Sequence, residues 1–462
     1  MHNKIYALSL PQSAEVNHTM RLNRRSFLAA GAASLVVAQA GRAHALKDAN
    51  SRVRVCTIGF NGQGESHLKD ILEMKDEAEY VALCDVDSEV LESGAKLIEG
   101  VQGKRPRLYR DIREALADKE VDVVTIATPN HWHALATVWA CQAGKDVYVE
   151  KPLSHSIFEG RQVVEAAKKY NRIVQHGTQN RANATLIRDM KLIHDGFIGE
   201  IVESRGYVYK NGNRGAIGHG KPGPVPKNLD WTLWQGPSQD HEFLINTDRR
   251  KPGLYVHYDW HWFWEYGNGE IGNQGVHEMD VAVWGHNRGM PAKVFSSGGR
   301  FGLDDDAQTP NTQATTFTYP DNSILTFEVR NLGSFDEADA GNCGNSFFGT
   351  KGFYVRNKGF FTYNGGKTMD ERERIPVDDR PEDKGSKWDH FFRAVRSRNP
   401  QDMSVSTEDA NVSCVHCHLG NAAFRLGRSL EFDPKQERFK DDEANQYLSR
   451  KYRAGFEVPK LI

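Results

Sequence analysis

Short apolar runs alternate with amphipathic stretches along the first third of the chain, and that alternation predicts a parallel sheet flanked by helices. Arg52–Gly59, Tyr80–Asp85 and Val121–Ala127 read as buried, β-branched strands. Helical periods run from the glycines after residue 59 to about Lys75, and from about His133 to Ala143. A further strand ends in Glu150-Lys151-Pro152, a helix spans 157–170, and a strand at Arg172–Val174 completes the unit. Beyond Gln175 the period changes. Glu200–Tyr209, Ala292–Gly298, Gln313–Tyr319, Ser323–Arg330 and Phe353–Arg356 alternate apolar and polar positions with few helices between them, which predicts a mainly antiparallel sheet. Trp388–Arg398 and Glu408–Leu430 carry a helical period, and the second is expected to pack back on the first domain. The expected organisation is α/β plus α+β, with a doubly wound domain over 46–175 and an open, mainly antiparallel sheet domain over 176–462.

A chain of 462 residues can bury two cores, and a net charge of −2 gives no reason to expect a nucleic-acid partner. Its six cysteines show no framework spacing. Residues 1–45 are set apart from the fold. Arg24-Arg25 precede a mildly apolar, alanine-rich run, and Ala43-His44-Ala45 offers a cleavage site, a pattern that resembles a Tat export signal. The run is too short to span a bilayer, so a periplasmic or otherwise exported protein without stable membrane insertion is expected. Because that route carries folded proteins, a cofactor bound before export would have to be held tightly.

The loop Gly59-Phe60-Asn61-Gly62-Gln63-Gly64 follows the first strand and opens a helix, and Asp85 ends the next strand 21 positions after Gly64. This is close to the Rossmann dinucleotide spacing, with Asn61 where the middle glycine usually stands. A carboxylate at Asp85 accepts hydrogen bonds from ribose hydroxyls and repels a 2′-phosphate, which favours NAD over NADP. Two further turns lie at carboxyl ends of strands, where ligands sit in such sheets: Thr128-Pro129-Asn130-His131-Trp132-His133 and Glu150-Lys151-Pro152. Together they resemble the cofactor- and substrate-facing edges of the Gfo/Idh/MocA oxidoreductases, the family of glucose–fructose oxidoreductase and inositol dehydrogenase, in its exported branch. The resemblance implies that Thr128, Pro129, Asn130, His133, Glu150 and Pro152 face the cofactor, often with a cis peptide before the proline. Lys151 is then a catalytic candidate, since an ammonium there can hold a substrate hydroxyl and stabilise a developing alkoxide.

Residues 267–280 resemble the family's second catalytic motif, Asp-x-Gly-x-His, with His277 as the histidine and Asn273 where the acid usually stands. Asparagine orients an imidazole but takes no proton, and Asp280, three positions after His277, is expected to share its helical side and replace the charge. The aromatic run 254–266 suits either a sugar ring or a core, and Tyr258, Trp260 and His261 are its substrate candidates beside His277. His257 and His261, His131 and His133, and the run Cys414-Val415-His416-Cys417-His418 lack the partner sets of a metal site, so no metal is expected. The resemblance implies NAD-dependent hydride exchange with a sugar or glycoside, and a homo-oligomer formed through the second sheet. Two rivals use the same residues: a glycoside hydrolase that recycles NAD through a 3-keto intermediate, and a non-catalytic periplasmic sugar-binding protein.

Overall fold

The computed structural model describes residues 52–461 except 211–214, 249–252, 334–340 and 378–379; the export-signal pattern at 1–45 lies outside the described residues. Six strands, β1 (Val53–Ile58), β2 (Ala78–Cys84), β3 (Arg107–Tyr109), β4 (Val123–Ile126), β5 (Asp146–Val149) and β6 (Val174–His176), form a parallel sheet in the order β3-β2-β1-β4-β5-β6. Every residue of β4 and β5 is buried, as continuous apolar runs require when helices cover both faces. The helices are α1 (Gln63–Glu73), α2 (Ser88–Gln102), α3 (Ile112–Ala117), α4 (Asn130–Gln142) and α5 (Ile157–Lys169). Asp87 caps α2 by accepting from Glu89 N and Val90 N, and Gly103 ends it in the left-handed region. β6 begins two residues later than its apolar pattern suggests. Asp146 Oδ1 accepts from Ile173 N at 2.8 Å, so a side chain rather than a strand partner takes that donor.

After α6 (Ala184–His194) the second sheet opens with β7 (Ile201–Tyr209). A two-stranded ribbon, β8 (Gly220–Pro222) and β9 (Leu244–Asn246), the short helices α7 (Trp231–Gln235) and α8 (Gly269–Gly272), and α9 (Gly275–His286) precede its return. The remaining strands are β10 (Lys293–Gly299), β11 (Thr312–Thr318), β12 (Ile324–Arg330), β13 (Cys343–Gly349), β14 (Phe353–Val355), β15 (Gly359–Gly365), β16 (Arg372–Ile375), β17 (Leu430–Asp433) and β18 (Arg438–Phe439). They lie in the order β16-β15-β14-β13-β7-β12-β11-β10-β17-β18. All pairings are antiparallel except β7 with β12. In β12 burial alternates strictly, which is the signature of a sheet covered on one face by helices.

The two halves share one core, and the connections between them include the following three. Helix α11 (Thr407–Leu426), which follows α10 (Lys387–Ser397), lies against the parallel domain: Thr407 Oγ1 donates to Val174 O, and Ser154 Oγ meets His418 Nε2 at 3.2 Å. The segment after β7 reaches back to the end of β2, where Asp230 N donates to Val86 O and Ser88 N to Asn228 O. The arm 448–461 crosses α4 and α5, with Phe456 edge-on to Trp132 at 5.7 Å and Leu461 N donating to Gln162 Oε1. Arg450 in that arm joins three segments at once, through Glu159, Glu265 O and His131 O. Among the described residues, no helix is long and apolar enough to cross a membrane.

Candidate active site

In a sheet of this order the crevice opens between β1 and β4, at the carboxyl ends of the strands. The structure places a cavity of about 400 Å³ there. One wall comes from the turns after the first sheet's strands and the other from Leu233, Trp234 and residues between His257 and His277.

The first wall is shaped by missing side chains. A Cβ on Gly59 would lie 2.8 Å from Thr128 Cγ2, and one on Gly64 would lie 2.2 Å from Gly59 O, so the loop and α1 approach closer than any other residue allows. Gly62 differs: its φ of +126° needs glycine, yet a Cβ there would meet nothing within 4 Å. It therefore borders open space, at a helix start without a side-chain cap, where unpaired backbone N–H groups suit a pyrophosphate. Thr128 Oγ1 is buried in the same wall with no partner among the described residues. Both features fit a bound dinucleotide. Asp85 accepts from Phe60 N and Asp87 N, each at 3.0 Å, and so holds the glycine loop as well as edging the cavity. Burial pushes its carboxyl up to about 6, against the pull of those two amides.

Around the reacting end the elements converge from both domains. Lys151 stands two residues after β5 and is joined to Pro152 by a cis peptide, and its Nζ donates to Asn273 Oδ1 at 3.0 Å. Glu150 does not face the ligand alone: its Oε1 meets His67 Nε2 at 3.0 Å and its Oε2 accepts from Lys151 N. Burial works to raise the Glu150 carboxyl, but His67 and the Lys151 charge outweigh it and hold the group at about 2. His277 lines the cavity from α9, and burial, aided by the Lys151 charge, pulls its pKa down to about 3. A neutral imidazole beside a lysine is a proton acceptor in waiting. His133 lies between the two ligand-edge turns, its Nδ1 at 2.6 Å from Pro152 O and its Nε2 at 2.7 Å from Thr128 O.

The expected residues fall into three groups. Gly59, Asn61, Gly62, Gln63, Asp85, Thr128, Pro129, Asn130, His133, Glu150, Lys151, Tyr258, Trp260, His261, Asn273 and His277 all border the cavity. Gly64 and Pro152 stand behind it, the first for helix–strand packing and the second as a carbonyl partner of His133. Asp280 does not supply His277 with a hydrogen-bonded charge: its carboxylate takes Arg181 Nε and Nη2 at 2.8 and 2.9 Å and Ser413 Oγ at 2.8 Å. Helical spacing puts the two residues near each other, but Arg181, arriving from the turn after β6, captures the acid first.

The aromatic run divides between two tasks. Trp262, Phe263 and Tyr266 belong to a buried cluster with Trp234, Phe243 and Trp260, and of these Trp234 and Trp260 also line the cavity, together with the half-exposed Tyr258 and with His261, which stacks on Trp260 at 3.6 Å. Cys414, His416, Cys417 and His418 are buried along α11 and occupied in packing contacts, and no metal-ligand cluster occurs among the described residues. Arg110, His257 and Gln274 were not anticipated. Arg110 Nη2 donates to Val86 O, and His257 Nε2 lies 3.3 Å from Asp87 Oδ2, so both join the wall at the end of β2. Only the polar residue directly after a strand hints at Arg110; nothing local to His257 betrays its partner.

The chain belongs to the Gfo/Idh/MocA oxidoreductases: residues 53–178 match the family's NAD-binding Rossmann fold and 183–458 its C-terminal alpha/beta domain. Among curated relatives it is similar to a glycosyl hydrolase family 109 protein of Shewanella pealeana, 28% identical over 34% of this chain and 36% of that protein. It is also similar to an alpha-N-acetylgalactosaminidase of Shewanella oneidensis, 26% identical over 34% of this chain and 35% of that one. The chain thus spans about a third of the length of these relatives. In fold it is similar to the WlbA dehydrogenase of Bordetella pertussis, solved with NADH and UDP-GlcNAcA, with a TM-score of 0.59 at 19% identity over 83% of this chain and 99% of that one.

Proposed function

We propose that the protein exchanges hydride between a carbinol carbon of a sugar or glycoside and a tightly held NAD. The observation that carries the reading is that Lys151, hydrogen-bonded to Asn273, and His277 line the same cavity as the glycine loop and Asp85. The dinucleotide, when bound, supplies the hydride acceptor. The glycine loop and the start of α1 cradle its phosphates, and Asp85 favours the unphosphorylated ribose of NAD. His277, neutral through burial, takes the hydroxyl proton, and Lys151 stabilises the oxygen that loses it. Tyr258 and Trp260 offer apolar faces to the sugar ring.

The NAD-recycling glycoside hydrolase is the second reading. It is favoured by the glycosidase relatives and by residues 228–230, which bond to the chain just after Asp85 and lead into Leu233 and Trp234 of the cavity wall. A cofactor held between two walls suits a cycle in which hydride is returned to the same substrate. The test is the protein purified without nucleotide, denatured, and assayed for released dinucleotide by mass spectrometry, then screened with sugars and glycosides by nicotinamide absorbance. Stoichiometric NAD with absorbance change on a sugar supports the oxidoreductase; aglycone release without added cofactor turns the assignment to the hydrolase. An empty site that takes up no NAD rejects both and leaves the sugar-binding protein.

Export through a Tat-type signal in residues 1–45 is part of the same proposal, supported by the twin arginines and the Ala-x-Ala site. Replacing Arg24 and Arg25 with lysine should keep the protein in the cytoplasm on cell fractionation. Self-association through the second sheet is proposed as well, on the half-exposed Phe295 of its outer face, with light scattering of a Phe295→Glu variant as the check.

A further inference from the structure

Along one edge of the cavity, at the end of β2, a seam of few bonds joins the two walls. Asp87 and Leu229 form an isolated antiparallel bridge rather than a ladder. On either side of it Ser88 N donates to Asn228 O at 2.9 Å and Asp230 N to Val86 O at 3.0 Å. Asp87 adds two side-chain ties: its Oδ1 accepts from Asn228 Nδ2 at 2.9 Å, and its Oδ2 lies 3.3 Å from His257 Nε2. Val86 and Arg110 line the cavity on one side of the seam and Leu233, Trp234 and His257 on the other, whereas Asp87, Asn228 and Leu229 are not among its lining residues. Leu229 is anchored from behind, in the buried aromatic cluster, and Val86 packs against the same cluster. Asp87 also donates its N–H to Asp85 Oδ1, and Asp85 Oδ2 accepts from Phe60 N. Seam, strand-end acid and glycine loop are thus one hydrogen-bonded line.

We infer that residues 228–230 and His257 form a strap latched on Asp87, and that a bound dinucleotide is released at the rate set by the opening of this latch. This rests on the NAD-dependent function proposed above and names the device that retains the cofactor. In a sheet of this order the acid at the end of β2 meets the adenosine ribose, so the strap stands at that end of the dinucleotide and not at the reacting one. A ladder of many bonds would open only with the sheet. One bridge, with two backbone bonds and two side-chain ties, opens by local fluctuation. Release then depends on the fraction of time the strap is open, and each lost tie raises that fraction by the factor its free energy sets. Asn228 lies outside the cavity lining, so weakening it changes the opening and removes no contact to the dinucleotide. Retention of this kind serves an enzyme that keeps one dinucleotide through many cycles.

The experiment follows exchange of the bound dinucleotide in the loaded protein. A large excess of isotope-labelled NAD is added, and mass spectrometry of the denatured protein reads the labelled fraction over time. Hydrogen exchange of peptides covering 86–92 and 228–236 is measured on the same samples. Asn228→Ala should speed release about fivefold, the factor set by one neutral hydrogen bond. Asn228→Asp, which sets a second carboxylate against Asp87, should speed it about tenfold or more. His257→Ala should speed it about threefold, and His257→Gln, which keeps a donor in place of Nε2, should return it close to the wild-type rate. In each variant amide exchange across the seam should rise by the same factor as release, because both wait on the same opening. Faster release without faster amide exchange would overturn the inference, as would release from Asn228→Asp at the wild-type rate. Failure of the proposed function looks different: the wild type neither carries nor takes up dinucleotide, and the strap falls with it.

Discussion

Replacing Asp280 by asparagine separates two roles that sequence spacing alone confuses. If Asp280 served His277, the substitution would disturb proton transfer in an otherwise stable protein. The structure argues the reverse. The Arg181–Asp280 pair is sealed, with side-chain exposures of 7% and 0%, and Ser413 supplies the third contact. Asparagine keeps one oxygen for Arg181 but places an NH₂ against a guanidinium and leaves its charge without a counterion. Breaking a buried pair from one side costs about 3–5 kcal/mol, and the retained oxygen puts Asp280→Asn near ~3 kcal/mol. At this chain length that lowers the thermal midpoint by roughly 3–4 °C. Differential scanning calorimetry measures it, and kcat/KM taken well below the midpoint should stay within about threefold of wild type. The double variant Arg181→Met/Asp280→Leu should recover part of the lost stability, since apolar replacement of both partners removes the stranded charge. An unchanged midpoint together with a large fall in kcat/KM would refute this reasoning and restore Asp280 to the proton path.

Other outcomes follow from the same contacts. Gly64→Ala should abolish recovery of dinucleotide from the purified protein, because its Cβ would sit 2.2 Å from Gly59 O; mass spectrometry of the denatured protein reads this directly. Burial is the main cause of low pKa at His131 and His277, near 3, and at His176, His286, His416 and His418, near 4. Unfolded, these histidines bind protons near pH 6.5, so from there down to about pH 4 the unfolded state holds more protons and stability must fall as pH falls, while above about pH 7.5 they contribute no slope. Thermal midpoints across that range test it; a flat profile between pH 6.5 and 4 would contradict the burial assigned to them. With His277 neutral above about pH 4, kcat/KM should show no limb near 6.5 that disappears in His277→Asn.

The parallel domain was legible because its signals are local. Buried strands read as unbroken apolar runs, and Gly59 to Gly64 and Asp85 sit at fixed offsets from them. The second sheet was half legible: β11 and β12 alternate cleanly, but β13 runs Cys-Gly-Asn-Ser-Phe-Phe-Gly, with no apolar alternation, and is held as a strand by β7 and β14 on either side. The site divides the same way. Lys151 and His277 stand in motifs, whereas the fate of Asp280 depends on Arg181, 99 residues away, and that of His257 on Asp87. The aromatic run could not be apportioned between core and cavity, because stacking partners such as Trp234 and Phe243 are set by the fold and not by spacing.

The arm 448–461 gives the folding of this protein a direction in time. Arg450 fastens Glu159 on α5, His131 on α4 and Glu265 at the end of the aromatic run, and Phe456 covers Trp132 and Trp139. The nucleotide domain emerges first from the ribosome, yet two of its helices find their outer partners only when residues some 300 positions later have been made, as with Leu461 on Gln162. Closing so long a loop is slow relative to forming the βα units themselves. The nascent first domain must therefore wait with an apolar flank uncovered, a target for chaperones. Loss of residues 448–461 would leave those helices without these partners, however intact the catalytic motifs.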